Sequence, residues 1–334
     1  MKTVIFYDIK NIERNFFEKE LFEDFNIIFK ENSLSENIEL SDIEKNAEII
    51  SIFTTSEINN LILKKFKNLK LILTRSVGYN HIDIDYCNEN NILIANTPHY
   101  GDYTVAEYSF GLLLNIARKI CYGEKGLKEG DILPELLGTE LYDKTIGIIG
   151  TGAIGSKSVK IANGFSMNII CYDKIENKEL KEKYNTKYTD IDTLCKLSDI
   201  IMIHTPLNTN TYHLINKDRL NLMKKNTIIV NTARGEIIET ESLYTALLEN
   251  KIKGAALDVL EFEDTLSNKR PGENINLRTL RTSLINSKLL NLKNVIVTPH
   301  IAYDTKEALE RILELTLQNI REYQQGKQLN NLVK

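Results

Sequence analysis

The stretch that most constrains this chain is Lys144–Ser156, where the apolar run Ile146-Gly147-Ile148-Ile149 leads directly into Gly150-Thr151-Gly152-Ala153-Ile154-Gly155. A GxGxxG string alone is a weak signal. Here it follows a strand-like run and opens a helix-compatible stretch over 156–163, and a second apolar run, 168–172, then ends at Asp173. That order predicts a strand–turn–helix–strand unit whose turn cradles a dinucleotide. Gly150 permits the tight turn, Gly152 lets a pyrophosphate approach the backbone, and Gly155 lets helix and strand pack closely. Thr151, Ala153 and Ile154 complete the loop, and the helix N-terminus favours the phosphate charge. Asp173 is placed to accept a ribose 2′-hydroxyl and to repel a 2′-phosphate. NAD is therefore preferred over NADP, with Lys174 beside it working against the preference. A triphosphate loop of the GxxxxGK[ST] kind fails, because Ser156 follows Gly155 and Lys157 comes one residue late.

Around this unit, short apolar runs alternate with amphipathic stretches. Strand-like runs fall at Val4–Tyr7, Phe25–Phe29, Ile49–Phe53, Leu71–Thr74 and Ile92–Ala95. Helix-compatible segments such as Ile58–Phe66 separate them. From Lys144 six stronger runs follow: Ile146–Ile149, Asn168–Tyr172, Ile200–His204, Thr227–Asn231, Ala255–Val259 and Val295–Thr298. Such alternation predicts an α/β fold with doubly wound parallel sheets, and six strands is the count of a complete dinucleotide fold. Val105–Ile120 carries apolar residues on several helical faces, which predicts burial either between domains or in a subunit interface; a homodimer or higher homo-oligomer is expected. Thr305–Tyr323 reads as a one-faced helix, with Ala308, Leu309, Ile312, Leu313, Thr316 and Ile320 as its stripe. Asp264–Ser287 is polar and reads as a long irregular surface insertion.

Composition removes several classes. At 334 residues the chain has the length of two domains. Its 42 Lys+Arg against 46 Asp+Glu leave a net charge of −4, which gives no footprint for nucleic acid or an anionic membrane. No apolar stretch approaches the ~18 residues of a membrane span. The first apolar run reaches Asp8 at once, so no signal peptide is expected. Cys87, Cys121, Cys171 and Cys195 are far apart and fit reduced thiols in a cytoplasmic protein. His81, His99, His204 and His213 form no ligand-like pair, so no metal is expected.

Three polar residues follow late strands: Arg234 in Asn231-Thr232-Ala233-Arg234-Gly235, Glu263 after Leu257-Asp258-Val259-Leu260-Glu261-Phe262, and His300 after Val295-Ile296-Val297-Thr298-Pro299. Carboxyl ends of parallel strands face the ligand crevice, so these side chains can converge. Their types suit hydride transfer between a 2-hydroxy acid and NAD. A histidine exchanges the hydroxyl proton, a carboxylate beside it fixes the tautomer, and an arginine holds a substrate carboxylate and polarises its carbonyl. Asp258 is placed near the nicotinamide. Taken singly, each has a plainer reading, as a structural histidine or a surface ion pair.

Together these residues resemble the D-2-hydroxyacid dehydrogenase family. The resemblance runs from Thr74-Arg75-Ser76-Val77-Gly78-Tyr79-Asn80 through the glycine loop, His204-Thr205-Pro206-Leu207, Asn231-Thr232-Ala233-Arg234-Gly235-Glu236 and Leu257-Asp258-Val259 to His300-Ile301-Ala302-Tyr303. It implies Arg234 as substrate clamp, Glu263 as partner of His300, and His300 as acid and base. It also implies that the amides of Val77 and Gly78 bind the substrate carboxylate, as an anion nest can. Thr205, Pro206, Thr232, Ala233 and Asp258 are implied to line the nicotinamide side. The implied fold is a flavodoxin-like substrate domain, 1–99 plus 301–334, with a Rossmann NAD-binding domain, 100–300, inserted into it.

Within the family the chain is most similar to the D-lactate dehydrogenase group. Tyr100 stands in Asn96-Thr97-Pro98-His99-Tyr100 where that group contacts its substrate, the gap from Glu263 to His300 is long, and Phe53 falls near a pocket-lining position. The implied reaction is reduction of a small 2-keto acid, pyruvate first, with branched-chain keto acids, hydroxypyruvate and glyoxylate as alternatives. A different class stays open: an NAD-sensing interaction protein like the corepressors that resemble this family. The absence of disordered tails weighs against it.

Overall fold

The computed structural model describes residues 1–21, 23–130, 136–263, 277–329 and 331–333. The chain divides into two compact units, Met1–Gly101 with Thr305–Lys334, and Asp102–Asp304.

The first unit is built on five strands, β1 (Lys2–Phe6), β2 (Phe25–Phe29), β3 (Ile49–Ile52), β4 (Leu71–Thr74) and β5 (Leu93–Ala95). They pair in parallel in the order β2-β1-β3-β4-β5, the flavodoxin-like arrangement. Both faces are covered, so β3 and β4 are buried along their whole length and read as continuous apolar runs rather than alternations. The one-faced helix forms as Lys306–Gln324, capped by Thr305, whose hydroxyl accepts from Ala308 N–H at 3.2 Å. Its Leu313, Leu317 and Ile320 join Val4, Phe6, Ile49 and Leu71 in one apolar cluster.

At the carboxyl end of this sheet Arg75 is fully buried. Its guanidinium donates to the carbonyls of Tyr7 (2.7 Å) and Asp8 (3.0 Å) and to Ser51 Oγ (3.0 Å), and faces Glu13 Oε1 at 3.3 Å. The ends of β1, β3 and β4 and the first turn of the helix Asn11–Leu21 are thereby tied to one cation.

The second unit holds seven strands: β6 (Thr145–Ile149), β7 (Asn168–Tyr172), β8 (Lys187–Tyr188), β9 (Ile200–Ile203), β10 (Ile228–Asn231), β11 (Gly254–Leu257) and β12 (Val295–Val297). Their order, β12-β11-β10-β9-β6-β7-β8, is all parallel and reverses between β6 and β9, as in a Rossmann sheet. Six of these correspond to the apolar runs of the sequence. The seventh, β8, is a two-residue edge strand paired to Ile170 and Cys171, too short to carry any periodicity.

The helix Asp102–Arg118 settles on the sheet of its own unit, where Phe110, Leu112 and Leu113 pack with Ile146, Ile148, Ile200 and Val230. Where an irregular insertion was expected, residues 277–289 form a helix; 264–276 lie outside the described residues. Its buried face is Thr279, Thr282, Asn286 and Leu289, while Leu277, Leu280 and Leu284 are exposed. The helical spacing is present, but three of the four inward residues are polar, so hydrophobic periodicity cannot reveal it.

Removing the carboxylate that faces Arg75 leaves a buried guanidinium without its counter-charge. Glu13→Ala is expected to destabilise the first unit by roughly 3–5 kcal/mol, read as earlier unfolding in urea. Glu18→Ala, on the exposed side of the same helix, is expected to cost less than about 0.5 kcal/mol. Equal shifts in the two variants would contradict this account.

Candidate active site

The carboxyl ends of β10, β11 and β12 supply three adjoining loops. At the end of β10, the buried Asn231 acts as a staple: its Nδ2 donates to the carbonyl of Arg234 (2.9 Å), and its Oδ1 accepts from Ala233 N–H (3.0 Å). Thr232 Oγ1 lies 2.8 Å from Ser109 Oγ, which fixes the start of the turn to the helix Asp102–Arg118. Arg234 Nη1 donates to the carbonyl of Ala233 at 2.7 Å, leaving the rest of the guanidinium fork with donors for a ligand.

The next residue, Gly235, touches the loop after β11. A Cβ there would stand 2.0 Å from the carbonyl carbon of Leu260 and 2.2 Å from the nitrogen of Glu261. Only glycine allows that approach. The turn it packs against carries two carboxylates with different surroundings. Glu261 is 3% exposed and accepts from Thr240 Oγ1 (2.8 Å), His213 Nε2 (3.2 Å) and Arg278 Nη2 (3.3 Å), while its carbonyl accepts from Asn286 Nδ2 (2.8 Å). Glu263 is about one-third exposed; its Oε2 accepts from Leu260 N–H (3.1 Å) and its Oε1 lies 2.6 Å from His300 Nδ1. Burial pushes the carboxyl of nearby Glu236 up, and the charges of Glu263 and Glu261 add to the rise.

His300 sits on the loop after β12, and Asp258 shapes that loop. Asp258 is fully buried. Its Oδ1 accepts from Thr298 Oγ1 (2.5 Å) and Ile301 N–H (3.0 Å), and its Oδ2 from Ala302 N–H (2.8 Å). Its carbonyl accepts from His300 N–H at 2.9 Å. Burial raises the Asp258 carboxyl above the ordinary range, although these hydrogen bonds and the neighbouring His300 pull the other way. With Nδ1 facing Glu263, the imidazole keeps Nε2 to exchange a proton with a ligand.

The structure thus brings Arg234, Glu263 and His300 to adjoining strand ends and pairs two of them directly. Asp258, expected along the nicotinamide side, has its side chain wholly enclosed by the His300 loop. Thr205 and Pro206 follow β9. His204, which precedes them, has its Nε2 2.8 Å from Ser158 Oγ, and burial pushes it down to about 3, so the ring is neutral. Asn231 and Glu261 were not picked out from the sequence. Asn231 carried a signal, an Asx residue opening a turn after a strand. Glu261 had none, because its partners come from residues 213, 240 and 278.

At the β6 end, the helix Ala153–Gly164 begins at Gly152 with no side-chain cap. A Cβ on Gly152 would meet nothing within 4 Å, whereas one on Gly155 would stand 1.9 Å from the carbonyl oxygen of Gly150. Open space lies on one side of the turn and close packing on the other. Uncapped amides at a helix N-terminus beside open space fit a pyrophosphate. Asp173 Oδ2 accepts from Thr151 N–H (2.6 Å) and Thr151 Oγ1 (3.1 Å).

In the first unit, Val77 and Gly78 follow β4. Their carbonyls accept from Asn96 Nδ2 (2.8 Å) and Ser76 Oγ (2.6 Å), and neither N–H has an acceptor among the described residues. Tyr100 is buried and Phe53 half-buried.

The chain is similar to known proteins over nearly its whole length. The model of the family "D-isomer specific 2-hydroxyacid dehydrogenase, NAD binding domain" matches residues 110–302. A 2-hydroxyacid dehydrogenase homolog of Zymomonas mobilis is 34% identical over 98% of each chain. An aromatic 2-oxoacid reductase of Clostridium sporogenes is 37% identical over 84% of each. The structure of D-lactate dehydrogenase from Aquifex aeolicus, complexed with NAD and lactic acid, superposes with a TM-score of 0.89 at 35% identity, covering 99% of this chain and 98% of that one.

The raised Asp258 carboxyl has a consequence for stability. Below the ordinary carboxylate pKa of about 4 the group is neutral in both folded and unfolded chains. As pH rises through its raised folded value, the folded state must hold the proton or bury the charge, so its contribution to stability falls. Asp258→Asn lacks this dependence. The stability of the native chain minus that of the variant is expected to decline as pH climbs from about 4, followed by urea unfolding at a series of pH values. A difference that stays flat or grows with pH would contradict the assignment.

Proposed function

The chain belongs to the D-isomer specific 2-hydroxyacid dehydrogenase family, whose members are NAD-dependent oxidoreductases acting on CH–OH donors, and on that premise we propose that it reduces a small 2-keto acid, pyruvate first, to the D-2-hydroxy acid. The observation that carries this reading is the 2.6 Å contact between His300 Nδ1 and Glu263 Oε1, at a strand end adjoining that of Arg234. Bound NADH supplies the hydride. His300 Nε2 gives its proton to the carbonyl oxygen as that atom gains negative charge, and takes it back in the reverse direction. Glu263 holds the imidazole in the tautomer this needs and stabilises the imidazolium. Arg234 holds the substrate and polarises its carbonyl.

Val77 and Gly78 are the proposed carboxylate anchors, a role supported by two N–H groups without acceptors among the described residues, beside two carbonyls that have donors. Tyr100 and Phe53 are the proposed contacts for the substrate's side group. Gly150, Thr151, Gly152, Ala153, Ile154 and Gly155 are proposed to hold the pyrophosphate, Asp173 the adenosine ribose, and Thr205, Pro206, Thr232 and Ala233 the nicotinamide end. The buried thiols of Cys87, Cys171 and Cys195, pushed up to about 12 by burial, suit a reducing cytoplasm. A homodimer or higher homo-oligomer is the proposed assembly.

The direct assay follows NADH absorbance with pyruvate, a branched-chain keto acid, phenylpyruvate, hydroxypyruvate and glyoxylate. Turnover is expected, with pyruvate foremost. No turnover of any of them, together with NADH-dependent capture of a protein partner, would replace the enzyme reading with the interaction-protein one. His300→Ala and Arg234→Ala are expected to lower kcat/KM by about 10²–10⁴-fold with NADH affinity near native. Equal loss of cofactor binding in both would contradict the division of roles.

A further inference from the structure

Strand β8 is two residues long, yet it delivers Tyr188 to the cofactor loop. The Tyr188 hydroxyl lies 2.9 Å from Thr151 Oγ1 and 3.0 Å from the backbone nitrogen of Asn177. Thr151 Oγ1 lies 3.1 Å from Asp173 Oδ2, the oxygen that also accepts Thr151 N–H at 2.6 Å. Each hydroxyl has one proton to give, and an ionised carboxylate only accepts, so the direction of the chain is determined. Asn177 N–H donates to Tyr188, Tyr188 donates to Thr151, and Thr151 donates to Asp173. The far end is anchored too, since the Asn177 side chain caps the helix Lys178–Tyr184 by accepting from Leu180 N–H at 3.3 Å.

This chain treats the two Asp173 oxygens differently. Oδ2 receives two donors from Thr151. Among the described residues, Oδ1 accepts only a long 3.4 Å contact from Ile175 N–H, and it retains lone pairs for another donor. A carboxylate held by one oxygen cannot swing about its side-chain torsions without breaking both Thr151 bonds. That matters because exposed Lys174 is adjacent. Were the carboxylate to turn aside, the lysine would offer a 2′-phosphate a favourable charge.

We propose that Thr151 and Tyr188 are positioning residues for cofactor selection: their hydroxyl chain locks the Asp173 carboxylate so that Oδ1 is presented to the ribose hydroxyls and a 2′-phosphate meets a negative charge that cannot move away. The proposal rests on Asp173 as the ribose acceptor. Tyr188 acts at a distance, through Thr151, and touches no cofactor atom in this scheme.

The test is binding alone, by fluorescence titration of the purified chain with NADH and with NADPH, with no keto acid present. Thr151→Val keeps the backbone donor and shape but removes the hydroxyl; Tyr188→Phe removes only the phenol oxygen. Each is expected to weaken NADH by about fivefold more than it weakens NADPH, so the preference ratio falls. The double variant is expected to match Thr151→Val alone, because both changes interrupt one chain. Thermal melts establish that the variants fold. Asp173→Ala separates the two levels of the argument. If it leaves the NADH-to-NADPH ratio at the native value, the ribose-acceptor assignment fails and the proposal with it. If it collapses the ratio while both hydroxyl variants keep it, the hydroxyl chain alone is refuted. Equal weakening of both dinucleotides by the hydroxyl variants, or additive effects in the double variant, would also overturn the proposal.

Discussion

Three donors from the segment after β12 converge on the carboxylate of Asp258: the hydroxyl of Thr298 and the amides of Ile301 and Ala302. Taking a carboxylate out of water costs several kcal/mol, and hydrogen bonds to it return only part of that. The raised carboxyl shows that the balance at this site is unfavourable for the charge. What the arrangement secures is geometry. His300 adopts the left-handed backbone region, φ 55°, which a residue with a Cβ enters at a cost of about 1–2 kcal/mol. Its N–H lies 2.9 Å from both the Asp258 and the Thr298 carbonyls. The backbone under the imidazole is therefore held on two sides before Glu263 engages the ring.

The first unit uses the same device with the opposite charge. Parallel sheets gather their ligand-facing loops at the carboxyl ends of the strands, where no ladder partner restrains them. Arg75 ties the loops after β1 and β4 to Ser51 on β3, close to the point where the strand order reverses. Asp258 does so between β11 and β12. In both units a buried ion sits where hydrogen bonds of the sheet have ended and the conformation of the loop still matters. Replacing either ion by an apolar side chain of similar size would remove a desolvation cost, but it would leave backbone groups at the loop without partners.

Much of this was legible in the sequence, for a physical reason. The runs that became β1, β3, β4, β6 and β9 are apolar because both faces of a parallel sheet are covered, so burial is written as composition. The glycine loop was legible because a tight turn and a close helix approach impose local demands that few residues meet. Strand β8 escaped because two residues have no period. The helix over 277–289 escaped because its inward stripe is Thr, Thr, Asn and Leu, which looks like a surface. Resemblance offered residues for the site, and the sequence order placed Arg234, Glu263 and His300 after strands. Their supports were hidden: Glu261 is fixed by residues 213, 240 and 278, and Asp173 by Thr151 and Tyr188, all far enough apart that no spacing rule links them.

The turn from Leu260 to Glu263 shows why the supports matter as much as the residues they hold. Glu261 and Glu263 are two positions apart and chemically identical, yet one is enclosed by three donors and the other meets the imidazole. Phe262 between them takes φ 57°, which turns the chain so that the two carboxylates part company. Gly235 lies against this turn at a distance no other residue tolerates, and it follows Arg234 directly. The loop of the arginine and the loop of the histidine's partner are thus linked through one close backbone contact. Glu261 then anchors the turn from the far side, to the helices Thr240–Leu248 and Leu277–Leu289. A displacement of any of these elements would reach the imidazole through Glu263. Relative placement of the three polar groups is accordingly a property of the packed unit rather than of three loops acting separately.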